Sequence, residues 1–177
     1  FDAICLLDDA RLDALNPRTA NRELPRGAMT LREAGIFVTV SSVAFDPAAR
    51  TLFYTADNGA YRDLMSVDPA TRRARMLLKD ARIGDLVFDR SNRSLWGIRH
   101  LNGICTLVRI PAPYREWERV VSWPYGTVVY DLDVSPDGSR LAASFGEASG
   151  KQEVRVFATS PPLTVDTPPV AHFDFGN

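Results

Sequence analysis

The chain has 177 residues, 45% of them apolar and 24% charged, and its formal net charge is −1. That length and apolar content suffice for one packed core, while the near-neutral balance supplies no field for nucleic acid or an anionic membrane surface. No apolar run is long enough to cross a bilayer, and neither Cys5 and Cys105 nor His100 and His172 show metal-ligand spacing.

In chain order, the first elements are Leu12–Leu15 and Glu23–Met29, on either side of Asn16-Pro17-Arg18-Thr19-Ala20. They read as the last two strands of a partial repeat over residues 1–37, with a short helical turn over Asp8–Leu15 as the alternative. The chain starts without methionine and in mid-repeat, so it reads as a piece of a longer protein.

From residue 38 onward one pattern occurs three times. Ser42-Val43-Ala44-Phe45-Asp46-Pro47 leads into Arg50-Thr51-Leu52-Phe53, and Asp85-Leu86-Val87-Phe88-Asp89-Arg90 into Arg93-Ser94-Leu95-Trp96. Asp131-Leu132-Asp133-Val134-Ser135-Pro136 leads into Ser139-Arg140-Leu141-Ala142. The anchors Phe45, Phe88 and Val134 lie 43 and then 46 positions apart. Alternation of apolar and polar residues puts every second side chain on one face of a strand. Pro47 in the first intervening turn and Pro136-Asp137-Gly138 in the third preset turn dihedrals, and Asp89-Arg90-Ser91-Asn92-Arg93 has the same length. Third strands follow at Asp63–Asp68, Cys105–Ile110 and Glu153–Ala158, and fourth strands at Arg73–Leu78, Glu118–Trp123 and Val170–Phe175.

Four strands recurring at a period of about 40–45 residues predict an all-β chain of β-propeller blades, each of four antiparallel strands. The blades span 38–80, 81–126 and 127–177, after the partial one, in a single incomplete module. Phe45, Phe53, Leu86, Phe88, Leu95, Leu132, Val134 and Leu141 are the expected core between blades. Three and a half blades leave open edges and apolar faces, which favour self-association.

The wording of the repeats resembles the TolB-like branch of WD-type propellers. Val134-Ser135-Pro136-Asp137-Gly138-Ser139-Arg140-Leu141 matches the family's apolar strand, Ser-Pro-Asp-Gly turn and second apolar strand. Asp68-Pro69-Ala70-Thr71 resembles its Asp-Pro-x-Thr-Gly turn, with Arg72 in place of glycine. The resemblance implies a propeller from Leu12 onward and a periplasmic or cell-envelope location. Its members include protein-binding TolB and prolyl-oligopeptidase-like and tricorn-like proteases, so it leaves the activity open.

The residues carry no hydrolase signature. There is no Gly-x-Ser-x-Gly elbow, His172 sits in the last strand, and His100 follows a second strand and reads as a loop residue. Asp57-Asn58-Gly59 could offer oxygen ligands but reads more simply as a tight turn, and no metal or cofactor is implied. Cys105 reads as a buried small hydrophobe, with a Cys5–Cys105 disulfide as the alternative under oxidising conditions. In a propeller, the second-to-third and fourth-to-first loops share one face. Here that face gathers Asn58, Tyr61, Arg62, Arg82, His100, Asn102, Trp123 and Tyr125, residue types that anchor interfaces. Trp123-Pro124-Tyr125-Gly126 has a second reading, as a cover for a blade edge. The expected function is non-catalytic binding of a protein or peptide through that face. The alternatives are the propeller of a multidomain peptidase whose active site lies outside this chain, and a small-molecule enzyme using Arg82, Arg99 and His100.

Overall fold

The computed structural model describes residues 39–57 and 61–175. The strands proposed at Leu12–Leu15 and Glu23–Met29, and the alternative helical turn, lie outside these residues. The described residues contain no helix.

Twelve strands form three four-stranded antiparallel sheets, each a simple meander. Blade 1 holds β1 (Thr39–Asp46), β2 (Thr51–Asp57), β3 (Arg62–Asp68) and β4 (Arg73–Leu78). Blade 2 holds β5 (Ile83–Asp89), β6 (Ser94–Leu101), β7 (Ile104–Ile110) and β8 (Glu118–Ser122). Blade 3 holds β9 (Thr127–Val134), β10 (Arg140–Glu147), β11 (Gln152–Ala158) and β12 (Ala171–Asp174). Each hairpin predicted from the repeat is present. Phe45 pairs with Leu52, Phe88 with Leu95, and Val134 with Leu141.

The turns explain why the hairpins close where they do. Asp46 accepts hydrogen bonds from the amides of Ala48 and Ala49, at 2.9 and 3.1 Å, and Asp68 accepts from Ala70 at 2.8 Å. Asp89 accepts from Ser91 at 2.8 Å. A short carboxylate at the turn entry replaces backbone partners that the strand ladder no longer supplies. The chain then passes through a left-handed residue, with φ of 52° at Arg50, 59° at Arg72 and 58° at Arg93. In blade 3 Gly138 takes that conformation, at φ 72°.

The core lies between blades, which present their faces to one another. Ala44, Phe53 and Leu64 of blade 1 pack against Ile83, Leu86, Leu95, Val108 and Ile110 of blade 2. Trp96, Ile98, Leu107 and Val121 of blade 2 pack against Val129, Leu132, Leu141, Phe145 and Phe157 of blade 3. Each Val, Leu, Ile or Phe side chain among these contributes about 1.5–3 kcal/mol on full burial. The three sheets do not close into a ring.

Five of the eight expected core residues, Phe53, Leu86, Leu95, Leu132 and Leu141, are buried. Three depart from expectation. Phe88 and Val134 are half-buried, and Phe45 is 42% exposed. Successive residues of a first strand serve opposite seams: Leu86 and Phe88 face blade 1, whereas Val87 packs toward blade 3. By the same alternation Ala44 faces blade 2, so Val43 and Phe45 point away from it. Phe88 keeps a stacked contact with Phe53, with ring centroids 6.0 Å apart.

Candidate functional site

In a four-stranded meander the starts of strands one and three and the ends of strands two and four share one end. At that end of the blades, one repeat position carries a polar residue just before the apolar pair of the first strand: Ser42, Asp85 and Asp131. Ser42 Oγ accepts a 2.6 Å hydrogen bond from the Leu86 amide, and Asp85 Oδ1 accepts one of 3.1 Å from the Asp131 amide. Each blade thus holds the first strand of the next by the same device. Asp85 and Asp131 are left-handed, at φ 49° and 52°, and the β5–β6 ladder bulges between Gly84 and Val87. Aspartate is among the few side chains that tolerate this conformation, and a bulge re-aims a side chain out of the ladder.

His100 lies in β6, not in a loop as the sequence suggested, because β6 runs on to Leu101 before turning. Its Nε2 is 3.7 Å from Asp85 Oδ2, and its Nδ1 is 3.4 Å from Cys105 Sγ across the β6–β7 pair. The Asp85 carboxylate, and then the Cys105 sulfur, favour the charged imidazole and raise its pKa to about 9 against an opposing effect of burial. Burial pulls the Asp85 and Cys105 pKa values up. It is outweighed at Asp85 by His100, the Asp131 amide and the Arg62 charge, and at Cys105 by His100 and the Val129 amide, so both end below their usual values. Cys105 is buried and unbridged.

The other candidates are arranged around this cluster. Arg62 begins β3 and pairs with Asp57 at 3.3 Å. Arg82 pairs with Asp80 at 3.0 Å. Their backbones form a chain across the blades: Arg82 N donates to Arg62 O at 3.1 Å, and His100 N to Arg82 O at 2.9 Å. Tyr61 is 43% exposed, with Lys79 Nζ 4.9 Å from its ring centroid. Asn102 is exposed in the β6–β7 turn at φ 51°. Next to it Gly103, at φ 76°, lies against the Tyr125 ring: a Cβ built there would fall 2.5 Å from Tyr125 Cε2. Tyr125 is 80% exposed despite this contact. The structure therefore brings Tyr61, Arg62, Arg82, His100, Asn102 and Tyr125 to one face. Asn58 lies outside the described residues.

Trp123 does not belong to the exposed set. It is buried, edge-on to Phe145 at 5.2 Å, and its amide donates to Cys105 O at 3.0 Å. It packs in the core shared by blades 2 and 3. Arg99, proposed for a small-molecule site, is turned to Ala81 O at 3.2 Å and lies 5.0 Å from the Trp117 ring. Sequence reasoning passed over Asp85 and Asp131 and read Cys105 as core, with a disulfide to Cys5 as the alternative. The signal for the two aspartates was their shared repeat position, a charge at the head of an apolar strand. No signal paired Cys105 with His100, because that depends on the β6–β7 register. Among the described residues no group of three or more His, Cys, Asp or Glu side chains could hold a metal ion.

No protein-family model matches the chain, and no curated protein matches it in sequence. Solved structures do match its fold. TolB from Acinetobacter baumannii is similar at 12% identity and a TM-score of 0.57, over 77% of this chain and 32% of that one. A putative TolB from Agrobacterium tumefaciens is similar at 12% identity and a TM-score of 0.63, over 77% of this chain and 50% of that one. The β-propeller domain of the Trilobed protease from Pyrococcus furiosus, described as having an open velcro topology, is similar at 8% identity and a TM-score of 0.54. That match covers 78% of this chain and 43% of the domain. The chain thus spans half or less of the length of these neighbours.

Proposed function

The chain has the TolB-like β-propeller fold, and on that scaffold we propose a non-catalytic module that binds a protein or peptide through the face bearing Tyr125. The observation that carries this reading is the seating of Tyr125. Its ring lies against Gly103 and yet is 80% exposed, an aromatic surface open to a partner. Aromatics and arginine are the usual anchors of interfaces. Arg82 and Asn102 stand on the same face, and Tyr61 and Arg62 extend it onto blade 1. Placement in the cell envelope belongs to the same reading and draws on the fold shared with TolB.

A displayed peptide library panned on the purified chain tests the proposal. Selected peptides are expected to lose at least about tenfold in affinity with Tyr125→Ser or Arg82→Ala. Arg50→Ser, at the opposite end of the blades, should leave affinity unchanged. Failure to enrich any peptide, or peptides indifferent to Tyr125 and Arg82, would remove the proposal. The reading also requires that the chain turn over no peptidase or esterase substrate; turnover abolished by His100→Ala would contradict it. The second reading, a peptidase propeller, draws on the likeness to the Trilobed protease domain. It is separated by reading the gene on both sides of this segment for a catalytic domain.

A further inference from the structure

Cys105 is one of only two cysteines in the sequence, and its thiol does not face apolar groups alone. Sγ lies 3.4 Å from His100 Nδ1, and the far nitrogen of that ring lies 3.7 Å from Asp85 Oδ2. A nucleophile, a base and an orienting acid therefore stand in line, the arrangement that activates a thiol. Blade 3 holds the acid in place through the Asp131 amide, 3.1 Å from Asp85 Oδ1. The Arg62 guanidinium lies near Gly84, with its Nη1 3.8 Å from a Cβ built there, and stabilises the Asp85 carboxylate. The groups facing the thiol are thus His100 on β6, the Val129 amide on β9 and, beyond His100, Asp85 on β5.

We propose that Cys105, His100 and Asp85 form a reactive-thiol site for a small hydroperoxide. The thiolate sulfur attacks one peroxide oxygen, so that an S–O bond forms as the O–O bond breaks. Sulfur is oxidised to the sulfenic acid and the peroxide is reduced. The departing hydroxide or alkoxide takes the proton from the His100 imidazolium and leaves as water or an alcohol. Size selects the reagent: Cys105 is 4% exposed, whereas the His100 side chain is 36% exposed on the loop face. A sulfur buried behind a solvent-facing ring favours a small reagent over a peptide. With Cys5 replaced by serine, return to the thiol requires an external thiol reductant. The inference is independent of peptide binding, since one modification per chain is not turnover.

The test uses the full chain with Cys5→Ser, so that Cys105 is the sole thiol. Methylthiolation by methyl methanethiosulfonate is timed at pH 6.5 and 9.0. The ratio of the two rates removes the part of the access limit that is common to both pH values. An ordinary thiol speeds up roughly 80-fold between these pH values, and the urea-unfolded chain should do so. The folded chain should change by less than about tenfold, and His100→Gln should restore the steep ratio. Hydrogen peroxide should give a sulfenic acid on Cys105, trapped by dimedone and read by mass spectrometry, with at least about a fivefold lower yield in Asp85→Asn. A steep ratio in the folded chain, or no trapped adduct on Cys105, overturns the proposal even if His100→Gln fails to fold.

Discussion

His100 gives the residue scale its clearest consequence. Its pKa is raised from 6.5 to about 9 by Asp85 and then by Cys105, so the folded chain holds a proton that the unfolded chain releases near pH 6.5. The resulting stability is fully present below pH 6.5 and is lost as pH rises through 9. Cys105, whose pKa is lowered, works the other way as pH rises, so the His100 share is read in Cys105→Ser: its urea midpoint should fall above pH 6.5 and stay flatter when His100→Gln is added, as fluorescence-detected unfolding would show. Asp85 acts in the opposite sense: its lowered pKa makes its contribution disappear on acidification. Side-chain burial orders a second pair of outcomes. Phe53, 1% exposed, should cost about 3–5 kcal/mol on replacement by alanine, and half-buried Phe88 should cost less. An equal or reversed order in urea unfolding would mean that the alternation assigned to the first strands is wrong.

At the scale of the element, the turns opposite the loop face join neighbouring blades. Arg93 Nη2 in blade 2 reaches Asp46 Oδ2 in blade 1 at 2.8 Å, with side-chain exposures of 57% and 2%. Asp46 also holds the amides of Ala48 and Ala49, so Asp46→Ala should cost about 1–3 kcal/mol. Arg93→Ala removes a partner that is more than half in water and should cost less, about 1 kcal/mol or below. Gly138 is the corresponding contact between blades 2 and 3. A Cβ there would stand 2.2 Å from Ser91 Oγ and 3.0 Å from Asp89 Oδ1, at a backbone φ of 72°. Gly138→Ala should lower the urea midpoint through both the strain and the contact, while Ala142→Gly, outside that seam, should not perturb the turn.

The described residues form three blades that do not close into a ring, and the outer faces of the first and last carry apolar side chains. On blade 3, Val128 is 50% exposed and Phe173 59%. On the far side of blade 1, Val43 and Phe45 stand at 40% and 42%. Apolar sheet faces of this kind promote association. We expect sedimentation at micromolar concentration to show species larger than a monomer, and Phe173→Asp to shift them toward the monomer. A compact monomer at all concentrations would contradict this expectation.

The sequence by itself determined the blades. Alternation at Val43–Phe45, Leu86–Phe88 and Leu132–Val134, with turns of equal length at matching places, Asp46-Pro47 and Pro136-Asp137-Gly138 among them, specifies hairpins because those signals are local and repeat. It also placed Tyr61, Arg82, Asn102 and Tyr125 on one face, since a meander puts alternate connections at the same end. Tertiary structure alone decided the rest. Trp123 is core because Phe145 of the next blade meets it, and Phe45 is half in water because the blade partner to its face is not blade 2. Asp85 meets His100, and His100 meets Cys105, only through a bulge in one ladder and the register of another. Those are relations between strands, and a one-residue slip in either would separate the three groups without changing a letter of the sequence.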